Sequence, residues 1–279
     1  MSSYNINTGN QLITTGKPLV MGILNATPDS FFEGSRCMTE NLIENRIKQI
    51  IDEGGSIIDI GAYSSRPDAQ HIDTKEEWRR LETALRILRD QYPDVITSVD
   101  TFRSKIAKRA VEEYGVNMIN DISGGEMDRS MFATIGELKV PYIMMHMKGT
   151  PQTMQQHCDY NDLFQDIALY FSGKIEQLRE LGVNDIIIDP GFGFSKTLEQ
   201  NYELLAKLEH FSIFEHPILV GVSRKSMIYK LLGIKPEEAL NGTSVIHTVA
   251  LRKGADILRV HDVKEAVQCV EITEMIKRY

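Results

Sequence analysis

The sequence predicts an α/β fold of the (β/α)8 TIM-barrel class, on three observations. Short apolar runs such as Ile186-Ile187-Ile188 are rich in β-branched residues and lack polar alternation, the mark of strands buried on both faces in a parallel sheet. Such runs alternate with helical stretches eight times in 279 residues, with short connections and no linker. Strict alternation implies a parallel sheet, and eight repeats at this length imply a closed barrel. Almost every run ends in polar residues, so the chemistry gathers at one end of the sheet. An open doubly wound sheet is the alternative arrangement. Residues 18–279 are expected to form the barrel as a single domain, with residues 1–17 as an N-terminal extension carrying a short hairpin over Asn5–Thr15.

The first barrel strand, Leu19–Leu24, ends at Asn25; its helix, about Glu40–Glu53, is closed by Gly54-Gly55. The second, Ile57–Ile60, leads into Gly61-Ala62-Tyr63-Ser64-Ser65-Arg66-Pro67 and a helix over Thr74–Tyr92, where Thr74 and Glu77 have capping-box spacing. The third, Ile96–Val99, ends at Asp100, and Gly115 stops its helix, Ser104–Tyr114. The fourth, Met118–Ile122, contains Asn120 and precedes a helix over Asp128–Lys139. The fifth, Tyr142–Met145, ends at His146 and precedes a long helix, Leu163–Leu181. The sixth runs into Asp189-Pro190-Gly191, which stops it abruptly, and a helix follows over Leu198–Phe211. The seventh, Ile218–Val222, ends at Ser223-Arg224-Lys225-Ser226, before helical pieces at Lys225–Leu232 and Pro236–Arg252. The eighth, Ile257-Leu258, ends at Arg259-Val260-His261, and a last helix runs to Lys277.

The net charge of −8 and pI near 5.5 argue against nucleic-acid and membrane surfaces. No apolar run approaches the ~20 residues that span a bilayer. Residues 1–9 are polar and lack a signal core. Cys37, Cys158 and Cys269 are scattered, without disulfide or zinc spacing, which suits a reducing cytoplasm. No P-loop or GxGxxG is present, against a nucleotide cradle.

In this fold class active sites lie at the C-terminal ends of the strands. The candidates there are Asn25, Ser65, Arg66, Asp100, Asn120, His146, Asp189, Lys225, Ser226, Arg259 and His261. Each has a bland reading: Asp100 as a helix cap, His146 and His261 as packed histidines, Ser223-Arg224-Lys225 as a solvated helix start. Asp59 and Asp256 are read as structural acids. The recurrence of polar tips at one end of the sheet favours a site. Asp100, Asn120 and Asp189 suit a flat ring rich in N–H groups. Arg66, Lys225, Arg259, His261 and Asn25 suit phosphate oxygens. Phe31, Phe32, Phe192 and Phe194 offer aromatic faces. Together they point to a polar aromatic heterocycle carrying an anionic leaving group.

The motifs Asn25-Ala26-Thr27-Pro28-Asp29-Ser30-Phe31, Val99-Asp100-Thr101, Asn120-Asp121-Ile122-Ser123-Gly124-Gly125, Met145-His146-Met147, Asp189-Pro190-Gly191-Phe192-Gly193-Phe194, Ser223-Arg224-Lys225-Ser226 and Arg259-Val260-His261-Asp262 together resemble the dihydropteroate synthases, from about Pro18 to the last helix. The resemblance implies a transferase of folate biosynthesis that joins 4-aminobenzoate to 6-hydroxymethyl-7,8-dihydropterin diphosphate, after SN1-like loss of diphosphate. It implies a pterin deep in the barrel on Asp100, Asn120 and Asp189, with Ile122 and Met145 as walls, Arg259 stacked on one face and Lys225 bonding the ring. Asp100, Asp189, Lys225 and Arg259 are the implied catalytic groups. Diphosphate is implied on Asn25, Ser65, Arg66, Arg259 and His261, with Mg2+ at Asn25. Phe31, Ser65, Pro67, Phe194, Lys225 and Ser226 are implied to shape the aminobenzoate site, where sulfonamides would compete. A homodimer is also implied. The loop that usually reads Gly-Gly-Glu-Ser-Thr-Arg-Pro-Gly is here Gly61-Ala62-Tyr63-Ser64-Ser65-Arg66-Pro67-Asp68. The loops from Ala26 to Cys37 and from Tyr63 to Ile72 are expected to close over the substrates. A methyltransferase on a similar pterin-binding barrel and a non-catalytic pterin-binding paralogue are the competing readings. Neither needs the first loop together with Lys225 and Arg259.

Overall fold

The computed structural model describes residues 3–9, 11–26, 36–64 and 71–279. Two short strands, β1 (Asn5–Asn7) and β2 (Leu12–Thr14), pair antiparallel as the expected hairpin. The barrel strands are β3 (Leu19–Asn25), β4 (Ile57–Gly61), β5 (Ile96–Asp100), β6 (Met118–Asp121), β7 (Tyr142–Met145), β8 (Ile186–Asp189), β9 (Leu219–Val220) and β10 (Ile257–Val260). Among the described residues they form one parallel eight-stranded sheet in the order β8-β7-β6-β5-β4-β3-β10-β9. A single bridge between Ile188 and Ile218 joins its two edges. The sheet is a barrel, and the doubly wound alternative is excluded.

The helices are α1 (Arg36–Asp52), α2 (Thr74–Gln91), α3 (Ser104–Tyr114), α4 (Met131–Leu138), α5 (Leu163–Glu180), α6 (Leu198–Ala206), α7 (Ser226–Leu232), α8 (Leu240–Arg252) and α9 (Val263–Ile276). Their apolar faces cover the outside of the barrel, for example Trp78, Leu81, Leu85 and Leu88 of α2.

Three local expectations are corrected. The cap of α2 is Asp73, whose carboxylate accepts from Glu76 N at 2.8 Å; Glu77 is instead fully buried against Arg103 and accepts from Thr101 Oγ1 at 2.6 Å. The helix expected through Phe211 ends at Ala206 and continues as a 3-10 turn, Leu208–Phe214, in which Leu208 and Phe211 are both buried. Their spacing of three suits the tighter turn. β9 is shorter than the expected Ile218–Val222, and at its start the Ile218 N–H is taken by the Asp256 carboxylate at 2.9 Å rather than by a strand.

The barrel interior is layered. One residue from each strand, Met21, Ile57, Ile96, Met118, Ile143, Ile187, Leu219 and Ile257, forms an apolar floor that Ile6 of the hairpin closes from below. Side chains alternate along a strand, so two residues further on the inward positions hold Asp59, Ser98, Asn120, Asp189 and Arg259, with Ile23, Met145 and Gly221 completing the ring. The fold thereby sets a polar layer on an apolar base at the C-terminal mouth.

Candidate active site

Arg259 organises one half of the mouth. From β10 it reaches past β3 to donate through Nε to Asp59 Oδ2 at 2.6 Å and through Nη2 to Asp100 Oδ2 at 2.7 Å. Asn120 Nδ2 donates to the same Asp59 oxygen at 3.1 Å, and its side-chain carbonyl oxygen accepts no hydrogen bond among the described residues. Asp59, read from the sequence as a structural acid, is fully buried and holds Arg259 and Asn120 at the mouth. Its Oδ1 and the Ser98 hydroxyl have no hydrogen-bond partner among the described residues. Burial pushes the Asp100 carboxyl up, Arg259 pulls it back, and Asp59 and Asp121 add to the rise. The flanking carboxylates outweigh burial at Arg259 and lock it in the charged form. Asp100 therefore pairs with Arg259 and does not cap a helix.

The other half is built on the turn after β8. Asp189 ends the strand, is 6% exposed, and accepts from Gly191 N at 2.8 Å. Burial raises its pKa, opposed first by Lys225. Lys225 donates to Phe192 O at 2.6 Å, and its ammonium lies 4.6 Å from the centre of the Phe194 ring. Burial lowers this lysine to about 8, against the pull of Asp189. Gly193 has φ of 82°, and a Cβ there would meet Lys225 Cδ at 3.3 Å, so the lysine stem lies along bare backbone. Ile122, Met145 and Phe194 belong to one apolar cluster with Phe102, Met147 and Met154, against which Tyr63 packs.

The rim carries the remaining candidates. Asn25 is exposed at the tip of β3 and Ser226 is half-buried at the head of α7. His261 is exposed, yet desolvation at the crowded rim and then Arg259 lower its pKa. Arg224, with φ of 53°, turns away from the mouth to a bidentate ion pair with Asp262, at 2.8 Å on each arm. Phe31, Ser65, Arg66 and Pro67, and most of both expected closing loops, lie outside the described residues. Tyr63, where the sequence departs from the usual motif, accepts from Gln152 Nε2 at 3.0 Å, lies 3.1 Å from His71 Nδ1, and stacks edge-on to Phe102. Sequence reasoning missed Asp59, Tyr63 and a buried lysine, Lys196.

The chain matches the family described as pterin binding enzyme over residues 21–261. It is 40% identical over 274 residues to a dihydropteroate synthase of Synechocystis sp., covering 97% of this chain and 94% of the relative. The chain belongs to the dihydropteroate synthase family. It is accordingly an enzyme, a transferase of folate biosynthesis. Two solved dihydropteroate synthases show the same barrel. One, from Yersinia pestis in complex with a sulfonamide drug, has a TM-score of 0.91 at 35% identity and covers 99% of both chains. The other, from Xanthomonas albilineans with 4-aminobenzoic acid, has a TM-score of 0.90 at 32% identity and full coverage of both. The resemblance drawn from the strand-end motifs is thus borne out.

Proposed function

We propose that this dihydropteroate synthase works by dissociation first and addition second, with the two halves of the mouth dividing the labour. The observation that carries the reading is the convergence of Asp100, Asn120, Asp189, Lys225 and Arg259, buried or half-buried, at the mouth of the barrel. In this reading Asn120, Asp100 and Asp189 accept from the pterin ring edge, Lys225 donates to it, Arg259 lies on its face, and Ile122 and Met145 form the walls. The C–O bond to diphosphate breaks, and its electron pair leaves with the oxygen. Asp100 and Asp189 stabilise the pterin cation that forms. Arg259, His261 and Arg66, with Asn25 and Ser65, hold the departing anion. The neutral amine of 4-aminobenzoate, aligned by Phe31, Ser65, Pro67, Phe194, Lys225 and Ser226, then attacks the methylene carbon and loses a proton. No strong general base is required, and sulfonamides would occupy the aminobenzoate position.

Magnesium fits this donor set. Among the described residues no cluster of three or more His, Cys, Asp or Glu is placed to hold a metal. Mg2+, however, characteristically keeps several waters and leans on substrate phosphates rather than on an all-protein cage, and the exposed Asn25 amide oxygen would be its protein ligand here. When bound there it would neutralise charge on the diphosphate oxygens.

We further propose a homodimer in the cytoplasm, with hairpin and barrel acting as one domain. Val245 of α8 and Ile272, Met275 and Ile276 of α9 are 50% exposed or more and form an apolar surface that suits a second copy. Cys158 and Cys269 are free thiols, in keeping with a reducing compartment. Among the described residues no helix is long and apolar enough to cross a membrane.

The test is turnover with both substrates, with and without Mg2+. Diphosphate release in the absence of aminobenzoate supports dissociation first; strict dependence on aminobenzoate would favour direct displacement. No turnover at all would indicate a pterin-binding paralogue.

A further inference from the structure

We propose that Lys196 is a positioning residue for the reaction: held inside the turn after β8, it sets the outer face of that turn, and with it Phe194, for the aminobenzoate. The inference rests on the assignment of Phe194 to the aminobenzoate side of the site.

Lys196 is 3% exposed. Its Nζ donates to Gly191 O at 2.9 Å and Phe194 O at 3.0 Å, and lies 3.1 Å from His146 Nδ1. In its ammonium form Lys196 has three N–H donors and no acceptor, which these three acceptors use completely; burial lowers its pKa to about 7, against the pull of Asp189. Burial lowers the His146 pKa well below the ordinary value, which keeps the ring neutral and able to accept. Filling space alone would need no amine here, because a buried polar group is costly unless it is fully bonded.

The turn has a conformation that needs such a fastening. Gly191, Gly193 and Ser195 have φ of 75°, 82° and 46°, so every second residue lies in the left-handed region, and one of them carries a side chain. The carbonyls of Gly191 and Phe194 meet Lys196, while that of Phe192 meets Lys225. A single turn thus holds one lysine within it and presents another to the mouth. The fastening is anchored in turn: His146 packs edge-on to Tyr170 at 4.8 Å, and its backbone N–H donates to Asp189 O at 2.9 Å.

Lys196→Met keeps an unbranched apolar stem as far as Cε and removes the amine with its donors. The expected result is an aminobenzoate KM raised more than about tenfold, as for the loss of several hydrogen bonds. Affinity for a pterin analogue by calorimetry should change less than about threefold, the scale of one weak hydrogen bond, in a barrel that circular dichroism shows folded. A purely structural role predicts a lower Tm with both constants normal. That result, or an equal loss of both affinities, overturns the proposal. Phe194→Ala, run in parallel, separates the two layers of the argument. An unchanged aminobenzoate KM there removes the underlying assignment and the proposal with it; a raised KM there with a normal one in Lys196→Met rejects Lys196 alone. Should Lys196→Met not fold, His146→Phe keeps a ring and removes its acceptor while leaving both carbonyls. It is read in the same way, with an expected rise of about two- to tenfold for one lost bond.

Discussion

Asp59 serves two residues at once. It accepts from Arg259 Nε and from Asn120 Nδ2 on one oxygen, and so fixes both the guanidinium plane and the way the amide faces. Asp59→Ala leaves both donors unserved, and breaking a buried pair in this way costs about 3–5 kcal/mol, measurable by urea denaturation. Asp59→Asn keeps an acceptor and loses the charge; pterin affinity is expected to fall about tenfold, or ~1.4 kcal/mol, with a much smaller loss of stability. Unchanged affinity in Asp59→Asn would reduce the residue to a core filler. Asp189→Asn is isosteric but cannot stabilise a cation, and turnover is expected to fall on the order of 10²-fold with the fold intact; wild-type turnover would remove Asp189 from the chemistry. Asp100, Asp189 and Arg259 were legible in the sequence because they stand where an apolar run stops. Asp59 was not, because it sits inside such a run and its ion-pair partner lies 200 positions away. Lys196 was equally hidden, since a lysine in a glycine-rich turn looks solvated until its three acceptors are seen.

The turn after β8 makes its own prediction as an element. At Gly191, with φ of 75°, a Cβ would stand 2.0 Å from the His146 carbonyl oxygen. That is backbone on β7's side of the sheet, which cannot swing aside as a side chain does. Gly191→Ala should therefore displace the whole turn, adding about 1–3 kcal/mol of left-handed strain to the clash. The expected outcome is a lower Tm and a kcat/KM reduced more than about tenfold, since the turn carries Asp189 at one end and the Lys225 contact in its middle. Activity close to wild type would mean that the turn's shape is not critical. Element order was readable from periodicity, and element ends were not. The starts of α2 and β9 are marked by Asp73 and Asp256, carboxylates that take backbone N–H groups. A capping-box spacing at Thr74 and Glu77 pointed one residue too late, because Glu77 had a buried ion pair to make with Arg103.

Across the whole molecule, the pH response holds opposing parts. His247, 1% exposed, and His216 are both lowered by burial to about 4 from 6.5. A depressed folded-state pKa contributes stability that is complete above about 6.5 and is lost as pH falls towards 4. Asp256, raised by burial to about 6 from 3.8, acts in the other sense, with its share present below about 4 and lost as pH rises through 6. A difference measurement separates them. Relative to His247→Gln, the wild type should lose up to about 3 kcal/mol between pH 6.5 and 4, read from urea denaturation at each pH. Parallel curves would show that His247 does not titrate in the folded chain. The barrel as a hoop has a further consequence. Its join is one bridge beside a strand of two residues, and Asp189 stands on one side of that join while Lys225 and Arg259 stand on the other. The closure that completes the hoop also holds the reactive groups in register, so loosening on warming should begin there, as local openings do where few backbone bonds hold. Heat should silence the enzyme several degrees before the helices melt, and amides of Leu219 and Val220 should exchange with solvent sooner than those of β4 and β5.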